Sequence, residues 1–124
     1  MNSSWIVVVF VGGGIGSVLR FFLQQQLNST KPADFPLGTF CVNLVGCLLI
    51  GLLWGWSEKS SWLTTDLKFF LFTGLCGGFT TFSAFSQESL QLLKVGAYQP
   101  LLIYVMGTLL ASFLLTYLGY KLIS

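Results

Sequence analysis

Residues 74–88 read GLCGGFTTFSAFSQE and lie inside an apolar run that begins at Leu67. A helix that only crosses a bilayer needs none of what this stretch holds: adjacent glycines at 77 and 78, four hydroxyl side chains and three phenylalanines. Each glycine makes a helix interior about 1 kcal/mol less favourable than alanine. In an apolar segment, glycines let a backbone open or let another backbone approach. The stretch therefore reads as a membrane helix broken near Gly77 and Gly78. Beyond the break, Phe82 and Phe85 are three apart and share a helix face, with Thr80, Thr81, Ser83 and Ser86 on its flanks.

The rest of the chain agrees with a membrane setting. Its 124 residues are 54% hydrophobic and 8% charged, with mean hydropathy +0.80, against about 25% charged residues in a soluble domain. Residues 1–124 form one unit with no linker. The first apolar run lacks a basic leader and a small-residue cleavage site, so it reads as a mature span rather than a signal peptide. There is no histidine, and Cys41, Cys47 and Cys76 lie within apolar runs without CxxC spacing, which argues for inert buried thiols rather than a metal or disulfide framework.

Working outward, four apolar runs are each long enough for the roughly 20 residues that a hydrocarbon core requires. The first is Trp5 to Gln24, with Gly12 and Gly16 four apart as in a small-xxx-small contact and Arg20 as its only charge. Gly12, Gly14 and Ser17 miss the third glycine of a dinucleotide fingerprint, so these glycines serve packing. Arg20 reads either as a snorkelling side chain or as part of an anion vestibule. After a polar loop from Gln25 to Phe35, the second span is Leu37 to Trp56, with Thr39 and Asn43 on one face. Asn43 must face protein or water, because an unsatisfied amide in hydrocarbon costs several kcal/mol. The third span is Leu67 to Leu93. Gly96 and Pro100 bracket a turn into the fourth, Leu101 to Leu122, where Tyr104, Thr108, Ser112 and Thr116 recur every four residues as a polar stripe.

Four spans put both termini on one side of the membrane. That side holds Lys59, Lys68 and Lys121, and the opposite side holds Lys31, Lys94 and the boundary residue Arg20. Basic residues set orientation by their excess on one side, and here the sides tie. The tie predicts insertion in both orientations, hence an antiparallel pair. A dimer is also expected because four helices hardly enclose a solvated path while shielding it from lipid.

The polar groups form no catalytic set, so no enzyme is expected. Cation-coupled transporters keep an acid at membrane depth, and nothing before Glu88 supplies one. Hydroxyls, an amide and an arginine are donors and suit an anion. Phenylalanine fits as well: the ring edge is positive although its face is negative, so the edges of Phe82 and Phe85 can touch an anion.

At GGGIGSVLR, GTFCVNLVG and GLCGGFTTFSAFSQE the sequence resembles the Fluc (CrcB) family of bacterial fluoride channels across all four spans. The resemblance implies an all-α, dual-topology antiparallel homodimer in the bacterial inner membrane, multi-pass, with two fluoride pores and a structural Na+ at the dimer interface. It also implies fluoride resistance: hydrogen fluoride enters as a neutral acid, dissociates, and the trapped anion leaves passively. By matching position, Phe82 and Phe85 contact fluoride and Asn43 is a donor. Gly77 and Thr80 offer backbone carbonyls to Na+, and Arg20 lies at the aqueous vestibule. Thr39, Ser83, Ser86, Tyr104 and Ser112 extend a polar track, and Glu88 matches an acid of undefined role. Two positions depart from the family pattern: Ala84 replaces a threonine of the track, and Ser17 stands where alanine is usual.

Two rivals share the outline. A small multidrug-resistance-type proton-coupled exporter has about this length and four spans, but depends on a glutamate in its first helix, where this chain has Gly12 to Gly16. A non-transporting assembly subunit leaves Asn43, the hydroxyls and the phenylalanine pair without a common purpose. No nucleic-acid partner is expected; the partners are fluoride, the bilayer and a second copy.

Overall fold

The computed structural model describes residues 1–124 and is all helical. Helix α1 is Ser3–Leu27 and α2 is Leu37–Lys59. Helix α3 covers residues 65–79: α-helical at Thr65–Lys68, in wide π-helical turns at Phe69–Cys76, and α-helical again at Gly77–Phe79. Helix α4 is Phe82–Lys94 and α5 is Tyr98–Ile123. Four segments are long and apolar enough to cross a membrane, the third being α3 and α4 together.

Local chemistry fixes the ends. Asn2 caps α1 by accepting from the Ser4 N–H, and Thr64 caps α3 by accepting from Leu67. Pro36 cannot cap α2. Asn28, just past α1, does so instead: its Oδ1 accepts from Gly38 N–H at 2.7 Å and Thr39 N–H at 3.3 Å. Gly96, at φ +76°, turns the chain into α5. That helix starts at Tyr98 rather than at the expected Leu101, and Pro100 lies inside its first turn. An N–H missing there is one that no helix satisfies internally.

The interruption of the third span lies close to the expected glycines but is seated on the threonines that follow. Gly77 is helical (φ −63°, ψ −39°), whereas Thr80 (ψ 156°) and Thr81 (φ −151°, ψ 115°) are extended. The reason is hydrogen-bond supply, since backbone leaving a helix within hydrocarbon needs substitute partners and threonine brings one. The Thr80 hydroxyl donates to Cys76 O at 2.9 Å, and the Thr81 hydroxyl accepts the Ala84 N–H at 3.1 Å, capping α4.

Glycines instead bring backbones together. A Cβ on Gly12 would lie 2.6 Å from Phe70 O, and one on Gly78 would overlap the Gly13 carbonyl. Across the other pair, a Cβ on Gly119 would lie 2.6 Å from Leu48 O, and one on Gly51 would overlap the Thr116 carbonyl. The frame is thus two tight helix pairs, α1 on α3 and α2 on α5. Large apolar side chains face outward, Phe10 at 80% exposure and Phe113 at 76%, as lipid contact requires. The buried apolar cluster is small: Phe85, Leu92 and Tyr104, with Phe35 and Phe40 against them.

Gly51→Ala forces a methyl group into the α5 backbone and should destabilise the protein by about 1–3 kcal/mol. Gly14, with nothing within 4 Å of its Cβ direction, should accept alanine with no loss and up to about 1 kcal/mol of gain. Thermal unfolding in detergent, followed by size-exclusion profile, separates the two; equal melting of both variants contradicts the backbone-contact account.

Candidate functional site

The site begins at the helix interruption. Asn43 on α2 faces Thr81 squarely: its Nδ2 donates to Thr81 O at 3.1 Å, and its Oδ1 accepts the Thr81 N–H at 2.8 Å. The side-chain amide takes both backbone groups of the residue that has left the helix, standing in for a peptide of a neighbouring strand. Asn43 is 8% exposed, so both bonds are made away from bulk water, where an unmade bond costs about 1–3 kcal/mol. Of the two surroundings open to Asn43, protein or water, the structure gives protein, with backbone as the partner.

From that junction α4 sets out, and its first turn carries the phenylalanines. Phe82 and Phe85 have ring centroids 5.6 Å apart at a 52° tilt. Phe85 is buried, whereas Phe82 is 75% exposed. Together with Asn43, Thr80, Thr81, Thr108 and Ser112 they line one cleft of about 240 Å³. Aromatic rings, hydroxyls and an amide therefore share one surface. Thr108 belongs here too. It is 6% exposed, and its Oγ1 is the buried side-chain polar atom that finds no partner in the chain. Its place in the four-residue stripe was the signal for it, although it was not among the expected site residues.

A second polar cluster lies one turn further along α4. Phe85 meets the Tyr104 ring edge-on at 5.0 Å, and the Tyr104 hydroxyl donates to Glu88 Oε1 at 2.9 Å. The Thr39 hydroxyl donates to Glu88 Oε2 at 2.8 Å. Thr39, Tyr104 and Glu88 are thus gathered, and Tyr104 links them to the cleft. Asn28 joins the cluster through Nδ2 at 3.1 Å from Glu88 Oε2; as one asparagine in a polar loop, it carried no sequence signal. Ser83 and Ser86 stand apart. Both are exposed, neither lines the cleft, and Ser83 pairs its hydroxyl with that of Thr81 at 3.2 Å.

Arg20 lies on α1, outside the cleft. Its Nε donates to Gly78 O at 3.0 Å, with the Ser17 hydroxyl on the same oxygen at 3.5 Å. The cation meets the carboxyl end of α3, where the helix dipole is negative. Gly77 and Thr80 border a hollow of about 190 Å³ beside Cys47 and Ile50. In an unbroken helix their carbonyls would accept from Thr81 and Ala84 N–H. Those donors go instead to Asn43 Oδ1 and Thr81 Oγ1, which leaves two backbone oxygens free of their helical bonds beside one hollow.

Known proteins resemble this chain along nearly its whole length. Residues 7–120 match the family described as CrcB-like protein, Camphor Resistance (CrcB). The chain is 47% identical over 117 residues, 94% of each chain, to the fluoride-specific ion channel FluC of Azobacteroides pseudotrichonymphae. It is 44% identical over 114 residues to the FluC of Phocaeicola vulgatus, covering 92% of this chain and 93% of that one. Against the FluC of Oceanobacillus iheyensis it is 40% identical over 117 residues, covering 94% and 89%. With a match across nearly all four spans and relatives of the same length, the chain belongs to the CrcB family.

Proposed function

We propose that this chain forms a fluoride-selective ion channel of the bacterial inner membrane, which lets cytoplasmic fluoride leave passively and so confers fluoride resistance. It is a conductor, not an enzyme. The observation that carries the reading is the tilted Phe82–Phe85 pair at the wall of a hydroxyl-lined cleft, in a chain whose relatives are named fluoride-specific channels. Fluoride holds its water strongly, so each water lost must be replaced by another donor. Ring edges, the Thr108 and Ser112 hydroxyls, and beyond them Thr39 and Tyr104 offer such replacements along one route. Chloride is larger and gains less from small, closely set donors.

The working unit in this reading is an antiparallel homodimer with two pores. A single chain supplies one wall of the cleft, and Phe82 at 75% exposure would otherwise present its polar surroundings to lipid. A second copy, inserted in the opposite sense as the balanced lysines allow, closes it. Sodium fits the same assembly. Small hard cations take oxygen ligands, and the Gly77 and Thr80 carbonyls have lost their helical donors beside one hollow. When bound there, sodium adds a fixed positive charge that holds the interruption open. Arg20 and Ser17 secure the neighbouring Gly78 carbonyl, while Asn43 keeps Thr81 from closing the helix.

Liposomes loaded with fluoride and carrying the purified protein should lose it rapidly to an external electrode, with chloride loss at least a hundredfold slower. Absence of fluoride loss from folded protein rules out the channel. Phe82→Ile and Phe85→Ile keep bulk but lose the positive ring edge, and each should slow fluoride efflux by tenfold or more with the oligomer intact; unchanged efflux in both removes the aromatic contribution. Replacing sodium by a bulky organic cation should lower the melting temperature of the wild type, by loss of ligand linkage. Asn43→Leu frees Thr81 to rebond Gly77, so its melting should no longer depend on sodium; a retained dependence places the ion elsewhere. Lysines added to the loops of one side should force one orientation and abolish efflux, which mixing with oppositely forced protein restores; full efflux from a single orientation excludes the antiparallel pair.

A further inference from the structure

Cys47 on α2 and Cys76 on α3 lie far apart in the sequence, without the close spacing that marks a thiol site. The fold brings them to one place. Both line the hollow of about 190 Å³ whose other walls include Gly46, Ile50 and Phe72, and both thiols are free. Cys76 is buried, at 4% exposure, and Cys47 is half-buried. The backbone behind each sulfur is held by a hydroxyl: Thr116 Oγ1 donates to Cys47 O at 3.1 Å, and Thr80 Oγ1 donates to Cys76 O at 2.9 Å. Rotation about one side-chain bond is what remains to each thiol.

The donor set decides what such a pair can hold. No third histidine, cysteine, aspartate or glutamate joins the two sulfurs, and Thr80, the one hydroxyl at the hollow, points its proton at Cys76 O. Zinc asks for four ligands and is poorly served. Hard cations take oxygen rather than sulfur. A soft cation that binds two thiolates in a line fits. Charge narrows the choice further, because a net charge held away from water costs several kcal/mol. Two thiols that bind as thiolates release two protons, so a divalent ion leaves the site neutral. Mercuric ion meets both conditions. The way in is open as well, since Cys47 and Thr80 line the cleft and the hollow alike.

We propose that Cys47 and Cys76 form a two-thiolate site for a soft divalent cation such as mercuric ion, and that its occupation inhibits the channel. Binding stands on the thiol pair alone; inhibition rests on the fluoride-channel reading. Cys47 lies one turn past Asn43 on α2, and Cys76 one turn before Thr80 on α3. The metal therefore staples the two helices beside the bonds between Asn43 and Thr81. Two metal–thiolate bonds of about 2.3 Å each impose a fixed sulfur spacing that free thiols need not keep. The helices shift to meet it, and the junction that sets Phe82 and Phe85 shifts with them.

The test is mercuric chloride added to purified full-length protein carrying Cys41→Ser, which leaves the pair as the only thiols. One mercury per chain should consume both thiols together, and X-ray absorption at the mercury edge should show two sulfur neighbours. Two mercury ions per chain, one sulfur per mercury, or a mercury link between two chains in denaturing mass spectrometry overturns the site. In liposomes one equivalent should slow fluoride efflux tenfold or more, with recovery on adding a dithiol. Cys76→Ala in the same background removes the staple and should need at least tenfold more mercury for the same effect. Efflux that stays unchanged in protein holding the two-sulfur ion overturns the inhibition, as does equal mercury sensitivity of the Cys76→Ala variant. A two-sulfur ion in folded protein that never conducts upholds the site and removes the channel reading.

Discussion

The structure depends on one constraint, the cost of leaving a backbone unbonded inside a bilayer. Between Phe79 and Phe82 the chain leaves its helix within an apolar span, and one amide side chain makes that tolerable. Asn43 meets both polar groups of Thr81, while the two threonine hydroxyls bond the ends of α3 and α4. The geometry of the cleft follows from the gap so created. It sends α4 off on its own line, sets Phe82 and Phe85 at the wall of a cleft, and strips Gly77 and Thr80 of their helical donors. Arg20 completes the arrangement from the other side by bonding Gly78 O.

Around this junction polar and apolar parts divide the labour. Glycines carry the tight helix contacts, because without a hydrophobic drive between helices in lipid close backbone packing supplies the attraction. Polar side chains are then released from holding helices together in the middle of the bundle and collect along α2, α4 and α5. The polar set from Gln24 at the end of α1 through Thr39 to Glu88 and Tyr104 therefore forms one connected hydrogen-bonded cluster. Phe85 stands where this cluster meets the cleft, its ring against Tyr104.

Much of this was legible in the sequence, for physical reasons that differ by residue. The four spans follow from run length alone, and the helices depart from the expected bounds by a few residues at their ends. The stripe of Tyr104, Thr108 and Ser112 was visible because a helix repeats its face about every four residues. The seat of the interruption was less legible: glycine marks either an opening or a close approach, and only the neighbour decides which. Gly78 faces Gly13, so it serves approach, and the opening falls to Thr80 and Thr81. Asn43 had a visible need for a partner but no visible partner, since Thr81 is thirty-eight residues away. The π-helical turns of Phe69–Cys76 have no periodicity that sequence reading resolves. Glu88 looked solitary because its partners come from residues 28, 39 and 104, and none bears a charge that would have betrayed it.

The glycine contacts have a mechanical consequence. Where Gly12 and Gly78 lie against opposing backbone, and Gly51 and Gly119 do the same across α2 and α5, each helix pair works like meshed teeth. A slip of one residue, about 1.5 Å along the axis, would drive a side chain into a peptide group. Shear between partners is thereby forbidden, and both pairs behave as stiff struts. Thr80 and Thr81, extended and held by side chains rather than by a helical ladder, form the compliant joint between α3 and α4. Rotation of α4 about that joint is the change of shape that the glycine contacts leave open.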